Sequence, residues 1–68
     1  MGRLFEGIVE IDRVIAARGL DAVRTKGRIG MKAGIFLDMI FPDTPDDPDK
    51  IERLREAAED VLGTSINI

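Results

Sequence analysis

A chain of 68 residues that contains neither cysteine nor histidine has to be held together by apolar packing. Disulfides need the first residue type and a structural zinc needs one or both, so neither common staple of small domains can be built here. A domain this short buries only about 60% of the surface its unfolded chain exposes, which leaves it marginal by itself. Self-association is the remaining common way to complete such a core. The expectation is a single all-α domain over residues 1–68, three helices with short connections, completed by self-association.

The first helix is read from Leu4, Ile8, Ile11 and Ile15, which recur at intervals of four, three and four and lay one apolar stripe, with Val14 beside it. Glu6, Glu10 and Arg13 lie off the stripe, while Phe5 and Val9 widen it toward a second side. Arg18 and Gly19 are stop signals, a cation at the negative helix end followed by a residue that tolerates positive φ. Asp21 caps the second helix. Its length is harder to read, because Gly27, Gly30 and Gly34 each cost about 1 kcal/mol relative to alanine in a helix interior. Continued to Phe41, the helix places Ile29, Ala33, Phe36 and Ile40 on one face, with Ile35 and Met39 pointing elsewhere. A helix apolar all round must be covered on all sides, and two short neighbours do not suffice. That stretch is expected to meet a second copy of the chain.

Pro42-Asp43-Thr44-Pro45-Asp46-Asp47 is the linker, and Pro42 ends the second helix at Phe41. Asp47 followed by Pro48 is an N-cap followed by the residue best suited to the first helical position. The third helix shows Ile51, Leu54, Ala58, Val61 and Leu62 on one face, with Ala57 at its margin and an Asp49–Arg53 pair at i,i+4 on the outside. Gly63 closes it. Past Gly63, Ile66 and Ile68 alternate with polar residues, which suits either a frayed end or a short extended tail docked on a neighbour.

Charge is divided unevenly. Residues 1–34 carry seven Lys/Arg against four Asp/Glu and residues 35–68 carry three against nine, which makes up the net charge of −3. Complementary solvated faces within one molecule account for this without a function, since exposed pairs contribute only about 0–1 kcal/mol each. The hydrophobic fraction of 44% with 34% charged residues is that of a folded soluble domain. Asp38 interrupts the longest apolar run, Ala33 to Phe41, so no membrane span is expected, and the acidic start rules against a secretory leader. A cytoplasmic protein is the expectation.

Chemistry has little to work with. Histidine, cysteine, tryptophan and tyrosine are absent and Ser65 is the single serine, so the usual nucleophiles and neutral-pH proton carriers are missing; no enzyme is expected. Asp43, Asp46, Asp47 and Asp49 do not follow the register of a calcium loop, which would place Pro45, Pro48 and Leu54 at the third, sixth and twelfth positions. No metal and no cofactor is therefore expected. Gly27, Gly30 and Gly34 match neither phosphate-binding glycine pattern. Gly30-x-x-x-Gly34 instead reads as a small-residue seam that lets another backbone approach.

Arg24, Lys26, Arg28 and Lys32 form a local basic stretch of the kind that contacts phosphates, set in a chain with a pI of about 4.8 and no aromatic in that region to stack on bases. Thr25-Lys26-Gly27-Arg28-Ile29 resembles the opening of the swapped-hairpin family of transition-state regulators and antitoxin DNA-binding domains, without the proline and the basic helix that come next in that pattern. The resemblance implies strands in this region, with Lys26 and Arg28 on phosphates. The reading drawn from the residues is a helical protein–protein interaction or oligomerisation module, regulatory or scaffolding, acting as a homodimer or on another protein. Ile35, Phe36, Met39 and Ile40 carry the contact in this reading, and Gly30 and Gly34 permit close approach. The alternative is a small dimeric nucleic-acid-binding regulator using Arg24, Lys26, Arg28 and Lys32.

Overall fold

The computed structural model describes residues 3–35 and 47–68. Three α-helices are found among them and no strand: α1 (Arg3–Ala17), α2 (Ala22–Ala33) and α3 (Pro48–Leu62). The helical α2 overrules the strands implied by the swapped-hairpin resemblance.

The stripe of α1 becomes its buried face, with Leu4, Ile8, Ile11 and Ile15 all at most 4% exposed. Val14 packs against the edge of this core, but Val9 is 40% exposed, so the second apolar side of α1 is only partly used. Helix α1 unwinds at Gly19, whose φ is 67°, with the Gly19 N–H donating to the Ala16 carbonyl and the Leu20 N–H to that of Ile15. Arg18 does more than sit at its own helix end: its guanidinium donates to the carbonyl of Leu62, in the last turn of α3. That carbonyl is one of the helix-end acceptors left without an intrahelical partner, and the cation suits the negative end of α3.

Asp21 caps α2 as expected, its carboxylate accepting from the Arg24 N–H at 2.8 Å. The other end of α2 differs from the reading to Phe41. Gly34 adopts φ 74° and stops the helix. Its N–H donates to the Met31 carbonyl at 3.3 Å, and the Ile35 N–H reaches back to the Gly30 carbonyl at 2.9 Å. This paired bonding closes a helix when the residue after its last turn takes the left-handed conformation, and it turns the next apolar side chain back onto the helix. Ile35 is that side chain, 3% exposed.

Asp47 caps α3 by accepting from the Asp49 N–H at 3.0 Å, and Pro48 opens the first turn. Ile51, Leu54, Ala57, Ala58 and Leu62 are buried along one face; Ala57, read as marginal, is 3% exposed. The helix ends at Gly63, whose N–H donates to the Glu59 carbonyl. Beyond it the tail docks on the molecule itself. Ile66 is 4% exposed and its N–H donates to the Glu59 carboxylate at 3.0 Å, while Ile68 lies over Gly7 of α1.

Helix α3 is the central element, packing most extensively on α2 and next on α1, with the α1–α2 contact the smallest. The buried side chains form one cluster from Leu4 to Ile66. The radius of gyration of 10.5 Å matches the roughly 11 Å of a compact chain this size. Thr25 is the one buried polar residue among the described residues, and no buried side-chain nitrogen or oxygen there lacks a hydrogen-bond partner.

Candidate interaction surface

Of the residues expected to meet a second chain, Gly30, Gly34 and Ile35 are among those described, and these three do not form one outward surface. Gly30 is buried, Gly34 is spent on terminating α2, and Ile35 belongs to the core of the single chain. Gly30 and Gly34 therefore do not share a helix face, because the left-handed turn at Gly34 takes it off the helix axis. Ile35 is correspondingly not free for a partner. Phe36, Met39 and Ile40 lie outside the described residues, as do Asp43 and Asp46 of the acidic linker.

The basic stretch is also divided. Lys26 is drawn to Asp12 of α1, Nζ to Oδ1 at 3.2 Å, and Lys32 to Asp60 of α3 at 2.8 Å. Both bridges fasten α2 to a neighbouring helix, and that of Lys32 to Asp60 also links the basic first half of the chain to the acidic second half. Lys32 donates a hydrogen bond to Asp60 and also attracts it by charge, so the Asp60 carboxyl titrates below its ordinary value. Arg24 and Arg28 are exposed and have no ion-pair partner among the described residues. The two arginines of α3 are engaged within their own helix: Arg53 with Asp49 at 3.1 Å, and Arg55 with both Glu52 and Glu59. The hydrogen bond from Arg55 to Glu52, and then their charges, raise the Arg55 pKa further above its already high value.

Beside Arg24 and Arg28 the sequence reading missed two apolar side chains. Val23 is 85% and Met31 78% exposed, the most open large apolar residues among those described, and Leu20, just before α2, is 44% exposed. Helix geometry explains them. The buried residues of α2 are Thr25, Ile29, Gly30 and Ala33. At about 100° per residue, Met31 stands roughly 160° from Ile29 and Val23 roughly 120° from it, so neither can reach the core. The signal is present in the spacing, since both residues are out of step with Ile29 and Ala33.

The outward side of α2 is thus an exposed strip of Val23, Arg24, Arg28 and Met31 with Leu20 at its end. A shallow depression of about 140 Å³ lies on a different side, between Lys32, Ala33, Arg53, Glu56 and Ala57. It is well below the roughly 300 Å³ of small-molecule sites, and two of its three charged groups, Lys32 and Arg53, are already paired. No group of three or more carboxylates among the described residues is arranged to hold a metal ion, and none of the described helices is long and apolar enough to cross a membrane. What the strip can do chemically is associate: it offers apolar contact and two guanidinium groups, and no nucleophile or proton carrier. No family model matches the chain, and no curated protein or solved structure matches it significantly.

Proposed function

We propose that the chain is a helical interaction module, cytoplasmic and without catalytic activity or cofactor, that docks another protein through the outward face of α2 in a regulatory or scaffolding role. The observation that carries this reading is the exposure of Val23 and Met31, 85% and 78%, on a helix whose opposite face is sealed into the core. Exposed apolar groups clustered on one face, rimmed by polar residues, mark association sites in soluble domains. Self-association through the stretch ahead of Pro42 draws less support, because Ile35 is taken up by the chain's own core.

A nucleic-acid-binding regulator is the second reading, favoured by the exposed Arg24 and Arg28. It gives no role to Val23 and Met31. The two readings separate when a photocrosslinking amino acid replaces Met31 in the cells that make the protein, with replacement of the exposed Arg13 on α1 as control. Protein adducts from position 31 and not from position 13 support the module. Adducts only with the chain itself put self-association in its place, nucleic-acid adducts put the second reading there, and no adduct at position 31 overturns the proposal.

A further inference from the structure

We infer that the occupant of the α2 face is an acidic amphipathic helix, which rests on the docking reading above and adds the chemistry of the partner. Val23 and Met31 stand eight residues apart on one helix, about two turns or 12 Å, long enough to meet two successive turns of a facing helix. Arg24 and Arg28, at i and i+4, run alongside them. The remaining cations of the helix are committed inside the molecule, Lys26 to Asp12 at 3.2 Å and Lys32 to Asp60 at 2.8 Å. The positive charge left over on α2 is therefore confined to the apolar strip, in a chain whose net charge is −3. A helix laid in register matches it with apolar side chains at i, i+4 and i+7 and carboxylates along one flank.

Two other occupants fit worse. A second copy docked by the same face is related by a two-fold axis, so both Arg24–Arg28 pairs would enter one interface without a carboxylate from either strip. A polyanion would satisfy the arginines but set Val23 and Met31 against phosphates. The strip has no aromatic on which bases could stack, and the net negative charge of the chain opposes an extended polyanion at long range.

The test uses two synthetic helical peptides of about 18 residues that share one leucine stripe and differ only in flanking residues, all glutamate in one and all lysine in the other. Binding of each to the full chain is read by fluorescence anisotropy, with a DNA duplex of about 20 base pairs as the polyanion probe. The glutamate peptide is expected to bind at least about tenfold more tightly than the lysine peptide. The R24E/R28E variant should reverse that preference, and V23S/M31S should weaken the glutamate peptide about tenfold, with unchanged circular dichroism in both because all four residues are exposed. Equal binding of the two peptides overturns the acidic partner, as does failure of both to bind; in either case protein adducts at position 31 leave the docking reading standing. Tighter binding of the duplex than of the glutamate peptide, lost in R24E/R28E, replaces both readings with nucleic-acid recognition.

Discussion

Ile68 lies across Gly7 so closely that a Cβ at position 7 would stand 2.9 Å from Cδ1 of Ile68 and 3.2 and 3.3 Å from its Cγ2 and Cγ1. Three atoms of one side chain crowd the same point, so rotation of its tip does not clear the space and the whole side chain has to move. Glycine in the middle of α1 is thereby explained by the tail that crosses it.

The pair is measurable as a coupling. Alanine in a helix interior is favoured over glycine by about 1 kcal/mol, and G7A in an I68A background should gain about that much. In the native background the displaced Ile68 offsets at least about half of it, a coupling of roughly 0.5 kcal/mol or more in a double-mutant cycle read by urea denaturation. Equal gains in the two backgrounds would mean that Ile68 does not rest on Gly7.

Leu54 is fully buried on the helix that joins the other two. Leu54→Ala should cost about 2–5 kcal/mol, against a total of roughly 3–10 kcal/mol for a domain of this length. The melting temperature should fall by roughly 8–40 °C, at about 4–8 °C per kcal/mol. Met31→Ala, 78% exposed in the parent, should stay within about 0.5 kcal/mol. Thermal melts followed at the helical far-ultraviolet band compare them directly, and equal melting temperatures for the two variants would contradict the core assigned to Leu54.

Replacing Gly34 tests the end of α2. A Cβ there meets only Arg53 Nη1 at 3.5 Å, an ordinary contact, so the penalty comes from φ 74° and not from crowding. Gly34→Ala should cost about 1–2 kcal/mol and Gly34→Asn less, with about 4–8 °C of melting temperature per kcal/mol. A neutral alanine variant would show that the left-handed turn is not required.

Asp60 sets a pH dependence. Its folded carboxyl titrates below the ordinary aspartate value of about 3.9, through the hydrogen bond and then the charge of Lys32. A folded pKa below the unfolded one means the pair's contribution is present above the unfolded value and is lost as pH falls through the folded one. Lys32→Met should therefore flatten the stability profile below about pH 4 relative to the parent. Denaturant midpoints collected from pH 2 to 7 report it, and parallel acid limbs for parent and variant would count against the bridge.

How far the sequence discloses this fold depends on the kind of signal. Apolar spacing places the buried faces of α1 and α3, and Asp21, Asp47 and Pro48 place two helix starts, because a capping carboxylate and an N-terminal proline act within one turn. The end of α2 is not legible in the same way, because Gly27, Gly30 and Gly34 carry the same intrinsic penalty. Which of them takes positive φ depends on a distant need, the burial of Ile35 in the common core. Arg24 and Arg28 are legible as a basic stretch, but not the neutralisation of Lys26 and Lys32, since Asp12 and Asp60 lie on other helices. Val23 and Met31 escape a reading that equates apolar helix residues with core, when the angle from Ile29 is the deciding quantity.

The clasp between the Arg18 guanidinium and the Leu62 carbonyl spans 44 positions of chain. Such a closure needs both rods in place, and the expectation is that it forms after the rate-limiting step of folding. Arg18→Met should leave the refolding limb of a chevron nearly unmoved and hasten the escape from the native state, making this clasp a determinant of how long the molecule lives between openings.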